Sequence, residues 1–295
     1  MQANIKIVPI IECVMSNPNG DPNQGGIPRE INGCGHITGT SFKRKLRDYV
    51  LGEELGGIFI QSGSVTQEAV KAFEVEDTTE KKSKKGEVKT RVDLSNFMAK
   101  NWDVRLFGQV LANSGQRIRG CVQVGELLTP HQVQVESIGL STCFVQNRDQ
   151  KDKNDGTLGR RSVVQYGVYS GVVSVNARQA ERHNVTTKDI GLLVESMLNG
   201  YQYSVSSSRP NVQVVSVLIA VTGDNAMVNP LETEGFSQYR LITKENPNGR
   251  ADWKVENTLG VPHIVLSDMT LEADEIAAKI DALLVGGASA ESVPE

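Results

Sequence analysis

Three cations near the start of one helix are the residues best placed to do chemistry in this chain. Lys43, Arg44 and Arg47 follow a turn-rich stretch, NPNGDPNQGGIPREINGCGHITGT, that runs from Asn17 to Thr40. Asn17-Pro18, Asn19-Gly20, Asp21-Pro22 and Gly25-Gly26 all form turns, so this backbone is expected to be irregular and to leave amides free. Free amides, the positive end of a helix dipole and cationic side chains together bind anions. The chemistry on offer is therefore the holding of phosphate. Lys43, Arg44 and Arg47 would hold it. A solvated amphipathic helix shows the same charged face, so the cations alone do not separate the two readings.

Catalytic chemistry has less to work with. Gly35-x-x-x-Gly39-Thr40-Ser41 is one residue short of a P-loop and lacks its lysine, and Gly33-Cys34-Gly35 fails G-x-G-x-x-G at Thr38. There is no G-x-S-x-G and no H-E-x-x-H. Asn17-x-Asn19-x-Asp21 begins like a calcium loop, but Pro22 stands where the sharp-turn glycine is required. Cys13, Cys34, Cys121 and Cys143 are scattered, as are His36, His131, His183 and His263, and Cys34-x-His36 cannot fill a tetrahedral site. No metal, cofactor or disulfide framework is expected, and an enzyme would have to rest on lone residues such as Asp21 or His36.

The elements that must position these residues alternate between strand and helix. Ile5 to Met15 reads as a central strand, with Pro9 as a sign of an edge or a bulge. In the basic helix, capped by Thr38 or Thr40, Phe42, Leu46, Tyr49 and Val50 share one face. Ser64-x-x-Gln67 opens a short helix, Glu74 to Arg91 with Lys81, Lys82, Lys84 and Lys85 reads as a loop, and Leu94 to Trp102 is helical, ended by Asp103 to Gly108. Arg117 to Glu126 alternates as a strand. Gln132 to Gln146 and Ser162 to Val175 form a long hairpin around the polar tip Asn147 to Gly156. Thr186-x-x-Asp189 caps a helix with an apolar stripe from Ile190 to Leu198 that stops at Gly200. Gln213 to Thr222 is the clearest buried strand, Tyr239 to Thr243 is a further one, and Leu271 to Leu284 is the last helix, ahead of a small-residue tail.

At 295 residues, with 39% hydrophobic residues, the chain fits one elaborated domain with a proper core. It has no apolar run of membrane-spanning length and no signal-peptide pattern, which makes a cytoplasmic protein with no membrane partner the expectation. The net charge of −4 is uneven. From Ala251 onward nine acids stand against Lys254 and Lys279, a net of −7, which leaves residues 1–250 at +3. A polyanion responds to the local patch, so the acidic end does not exclude nucleic acid.

Read together, these motifs resemble the backbone subunit of type I CRISPR effector complexes (Cascade), in the RAMP superfamily, and most closely its type I-C and I-B subgroup. The resemblance is carried by Asn17-Pro18-Asn19-Gly20-Asp21-Pro22 with Ile27-Pro28-Arg29, then Ser41 to Arg47, then Asp103-Val104-Arg105-Leu106-Phe107-Gly108. Gly120-Cys121-Val122-Gln123 and Gly159-Arg160-Arg161 with Tyr166-Gly167-Val168-Tyr169 follow in order, although Cys121 and Gln165 stand where the family pattern has proline. It implies an α+β fold, a ferredoxin-like or RRM-like palm with inserted finger segments and a β-hairpin thumb. The palm would take about residues 1–60, 94–128 and 162–285, the finger about 52–93, the thumb about 130–163, and a disordered tail about 286–295.

It also implies partners: CRISPR RNA (crRNA), target DNA through that RNA, further copies of the chain and other Cascade subunits. With aromatic residues at only 5%, base stacking on the sheet is not the expected mode, and phosphate and ribose contacts suit a subunit that accepts any spacer. On this resemblance Lys43, Arg44 and Arg47 would hold guide phosphates at the helix start, with Arg29 and the loop residues Asn17, Asn19, Gly20 and Asp21 in support, and Arg119, Gln123, Arg160 and Arg161 are second-rank contact candidates, expected at the base of the thumb. Two other readings compete. Type III backbone relatives cleave RNA with an aspartate in the loop before the basic helix, where this chain has Gly25-Gly26-Ile27-Pro28 and only Asp21 upstream. A plain interaction scaffold would bind no RNA at all.

Overall fold

The computed structural model describes residues 3–63, 66–76, 90–111, 114–141, 158–222, 239–257 and 261–286. Strand β1 (Asn4–Ser16) leads through β2 (Gly20–Asp21), β3 (Ile27–Pro28) and β4 (Glu30–Ile31) to β5 (Cys34–Ile37) and helix α1 (Gly39–Gly52). α2 (Thr66–Lys71), β6 (Glu74–Glu76), β7 (Thr90–Val92), α3 (Leu94–Lys100), α4 (Trp102–Phe107), β8 (Gly108–Leu111) and β9 (Gln116–Arg119) come next. They are followed by β10 (Val122–Val124), β11 (Leu127–Gln132), β12 (Val135–Ser141), β13 (Leu158–Ser170), β14 (Val173–Val175), α5 (Ala177–Arg182), α6 (Thr187–Tyr203) and β15 (Val212–Thr222). β16 (Tyr239–Thr243), β17 (Trp253–Asn257), β18 (His263–Leu266) and α7 (Ala273–Gly286) complete the order.

β1 is apolar on both faces because both are covered. Ile5, Ile7, Ile11 and Cys13 point into the main core under α1, α6 and α7. Val8 and Ile10 point the other way, into a second cluster closed by Trp253. Along one edge β1 pairs with β15, which in turn pairs with β18. Its other edge is shared: β14 takes Ile5 to Ile7 and β13 takes Ile10 to Ser16. Pro9 falls where those two partners hand over, and a register shift follows at Ile10/Ile11 on the β15 side. The proline thus marks a bulge in a central strand, where a missing donor is tolerated. Beyond β13 the antiparallel sheet continues through β11, β5 and β4, while β12 pairs with β13 as a hairpin arm. A third cluster, Phe59, Val92, Phe97, Val104, Leu111 and Ile118, lies outside the main core.

Several boundaries differ from the sequence reading, each for a tertiary reason. Asp103 to Phe107 is not a turn but a second helix, α4. The break falls at Asn101, where the chain is extended and the Trp102 amide donates to Gly57 O at 2.7 Å. Ser162 to Val175 is split at Gly171, whose Cβ, if present, would lie 2.5 Å from Glu126 O. Gln132 to Gln146 is interrupted between β11 and β12. α6 runs past Gly200 to Tyr203, and that glycine serves the helix contact instead, since a Cβ would sit 3.1 Å from Lys45 O. α7 likewise continues through Gly286. Ser64, Lys81 to Lys85, Cys143, the hairpin tip Asn147 to Gly156 and the tail beyond Gly286 lie outside the described residues. Among the described residues no helix is long and apolar enough to cross a membrane.

Candidate nucleic-acid interface

The loop ahead of α1 is far more ordered than its composition suggests. β2 and β3 pair, the Gly26 amide donates to Asp21 O at 2.7 Å, the Arg29 amide to Asn19 O at 3.0 Å, and the Asn17 amide to Ser208 O at 2.8 Å. Many of its amides are therefore spent within the protein, contrary to the expectation that they stay free, because a compact loop that strands its polar backbone costs stability. Its side chains complete the frame. Asn17 Nδ2 donates to Gly26 O and Ser162 O, and Asn19 Oδ1 accepts from the Thr38 amide and hydroxyl at 2.8 and 3.0 Å. Thr38 in turn caps α1 by accepting from the Ser41 amide. Gly20 must be glycine, since a Cβ there would lie 2.7 Å from Gly26 O. Asp21 uses one oxygen on the Asn23 amide at 2.9 Å and the other on Arg29 Nη1 at 3.0 Å.

On α1 the three predicted cations have different fates. Arg47 pairs at 2.8 Å with Asp103, which is fully buried and also accepts from the Phe59 and Ile60 amides. Its guanidinium lies 5.1 Å from the Phe107 ring centroid. Arg47 is thus a fastener between α1 and α4 rather than a spare charge. The Asp103 to Gly108 motif reads accordingly: Asp103 holds Arg47, Arg105 pairs with Asp189 at 2.5 Å, and Phe107 is the ring beneath Lys43 and Arg47. Lys43 is half-buried, with Nζ 5.8 Å from that ring; burial and then Arg47 push its pKa down. Arg44 pairs with Asp48 and donates to Ile60 O at 3.2 Å.

Two further cations belong to the other side of the helix. Lys45, on the opposite flank of α1, has its pKa pushed down to about 8, first by burial and then by Arg209. Arg209 sits in the loop between α6 and β15 and donates through Nη2 to Ser204 O at 3.0 Å. Sequence reasoning passed over both. Lys45 was in view inside the basic helix, and Ser206-Ser207-Ser208-Arg209-Pro210 is a turn signal between an apolar helix and an apolar strand. Arg161 joins this loop, donating from Nη1 to Ser207 O at 2.5 Å from the root of the β12–β13 hairpin. Arg160, next to it, is exposed.

Arg119 and Gln123 are not drawn in. Arg119 is exposed on β9 opposite Gly108, and Gln123 is exposed on β10 in register with Ser174, itself opposite Lys6 near the start of β1. Arg161 lies past Val164, which faces Ser16 at the other end of that strand. The sheet face away from the helices is closed to base stacking at Tyr166, whose hydroxyl donates to Glu12 Oε1 at 2.6 Å and accepts from Trp253 Nε1 at 2.7 Å. Among the described residues no group of three or more His, Cys, Asp or Glu side chains could hold a metal ion.

This arrangement belongs to a known architecture. Chains of two solved CRISPR RNA-guided surveillance complexes share the fold. One, described as pre-nicking, superposes with a TM-score of 0.51 at 16% identity, covering 75% of this chain and 79% of the other. The second does so with a TM-score of 0.55 at 16% identity, covering 95% and 99%. The sequence itself matches the family described as CRISPR-associated protein Cas7 over residues 3–252, and the chain belongs to that family. No curated protein matches it.

Proposed function

We propose that this chain is a non-catalytic guide-RNA-binding backbone subunit of a type I CRISPR effector complex. Copies polymerise along the crRNA beside other Cascade subunits, hold its phosphates and riboses, and leave its bases to pair with target DNA. The observation that carries the reading is a Cas7-family fold whose first helix bears Lys43 on one flank and Lys45 on the other, with Arg161 and Arg209 tied to the α6–β15 loop. Contacts of this kind position a strand without reading its sequence.

The fold supports the division into palm, finger and thumb. β15, β1, β13 and β11 lie side by side in that order and antiparallel, with α1 after the first and α6 after the third in the chain, as in a ferredoxin-like palm. The β12–β13 arm serves as the thumb. The non-catalytic reading draws support from Asp21, whose two oxygens are engaged by Asn23 and Arg29. The motifs before and within α1 favour the type I-C and I-B subgroup.

The test is co-purification. The chain is expressed alone and with a CRISPR array, and bound nucleic acid is measured by absorbance ratio and gel. Protected RNA of defined length in a large assembly is expected. An RNA-free monomer under both conditions at low salt would overturn the proposal. Periodic, metal-dependent cuts in paired RNA that vanish in Asp21→Ala would overturn its non-catalytic part.

A further inference from the structure

The far end of α1 carries charge of the opposite sign to its start. Where the helix runs out at Glu53, its last turn, the first half of α6 and the start of α7 border a groove of about 860 Å³. Five of the lining residues are acids, Glu53, Asp189, Glu195, Glu272 and Asp274, and Lys188 is the cation among them. Asp189 is neutralised by Arg105 at 2.5 Å and Asp274 by Lys188 at 3.0 Å. Glu53, Glu195 and Glu272 pair with no cation among the described residues.

These three acids converge on one hydroxyl from three elements. Glu195, 7% exposed, accepts from the Tyr49 hydroxyl and from the Ala273 amide, each at 2.7 Å. Burial, then Glu195, and then Glu53 and Glu272 push the Tyr49 pKa up. The positive end of α7 is thus already answered by Glu195, while the end of α1 adds partial negative charge of its own.

Between the acids the walls are apolar. Leu192, Met269 and Leu271 line the groove, and Leu55 stands 44% exposed at its edge. Past Tyr49, the 46% exposed Tyr203 sets its ring edge-on to the Tyr49 ring at 5.9 Å and extends the apolar surface. Glu53, Lys188, Glu272 and Asp274 are all exposed, so this is an open shelf and not the enclosed pocket that a small ligand fills. An apolar floor with an acidic rim is complementary to a basic amphipathic helix and repels a polyanion. Met269 to Asp274 also lie beyond residues 3–252, so this wall falls outside the matched family pattern.

We infer that the groove docks a basic amphipathic helix of another protein, its cations against Glu53 and Glu272 and its apolar face on Leu55, Leu192 and Leu271. The site stands apart from the RNA-binding reading: its partner is a protein, met at the opposite end of α1 from the capped start.

The test measures, by fluorescence anisotropy, binding of two labelled synthetic helical peptides to the full chain. Both carry leucine along one face; one has lysine and the other glutamate on the rest. The lysine peptide is expected to bind and the glutamate peptide not. Glu53→Lys/Glu272→Lys, at two exposed positions, should weaken the lysine peptide about tenfold, and Leu55→Gln about threefold. Glu30→Lys, exposed on the edge strand β4, should leave it nearly unchanged. An equal loss in Glu30→Lys would show attraction to net charge alone and overturn the site. Unchanged binding in the double variant or in Leu55→Gln would do the same. Displacement of the lysine peptide by an equal concentration of spermidine would assign the groove to a small polycation, and a dimer of the unmodified chain that the double variant dissolves would assign it to a second copy; either overturns the helix. Binding is read without RNA, so this proposal and the proposed function fail separately.

Discussion

Arg47 sits one helical turn beyond Lys43 and carries the same charge, yet the two side chains have opposite roles. The carboxylate of Asp103 is fully buried, so removing it leaves a desolvated guanidinium and two stranded amides. Asp103→Ala is expected to cost about 3–5 kcal/mol in urea denaturation, and a loss below about 1 kcal/mol would contradict the role given to the pair. Lys45 behaves in the reverse sense. Its folded pKa, about 8, lies below the ordinary 10.5, so the fold disfavours its charge at neutral pH. Between these two values the unfolded chain binds more protons, and this group's contribution to stability improves as pH rises. Lys45→Gln should therefore melt higher than the unmodified chain at pH 7, with the gap narrowing toward pH 9.5; a gap of opposite sign or constant size would refute this. The basic helix was visible in the sequence as a charged stripe. That Arg47 is spent on an aspartate was not, because Asp103 lies 56 residues away in the chain.

At the scale of elements, α1 depends on a cap that is itself held in place. Thr38 caps the helix and Asn19 holds Thr38, so Thr38→Ala should lower stability by about 1 kcal/mol. Asn19→Ala should weaken RNA binding as well as stability, since it frees the loop at the helix start; binding unchanged in that variant would show that the loop only braces the fold. Elements governed by local pattern were legible. β1 and β15 are near-continuous apolar runs, and α6 carries a complete capping box at Thr186 and Asp189. Elements set by distant contacts were not. Nothing local breaks the chain at Asn101; the break comes from Gly57, whose carbonyl takes the Trp102 amide and where a Cβ would lie 1.9 Å from Lys100 O. Gly171 divides β13 from β14 for a similar reason, close packing against Glu126. The same holds for the candidate site. Lys43 and Arg44 lie within a recognisable run, but Arg209 comes near Lys45 through the packing of α6 on α1, a relation no spacing rule encodes.

For the whole molecule, charge and topology point in one direction. The acidic excess is concentrated beyond Ala251, whereas Lys45, Arg209 and Arg161, which pair with no acid among the described residues, lie on α1, the α6–β15 loop and the hairpin arm. Trp253 covers Tyr166 on the outer face of the sheet, which favours, in the proposed function, contacts to the strand's backbone over stacking on its bases. Such binding is indifferent to sequence and steeply dependent on salt. The most direct measurement is the affinity of the purified chain for two unrelated single-stranded RNAs of equal length, followed across a salt series. Equal affinities at each salt concentration, falling together with a slope of about 0.7 for every phosphate held, are what this account predicts. A marked preference for one sequence, or binding that salt leaves unchanged, would contradict it.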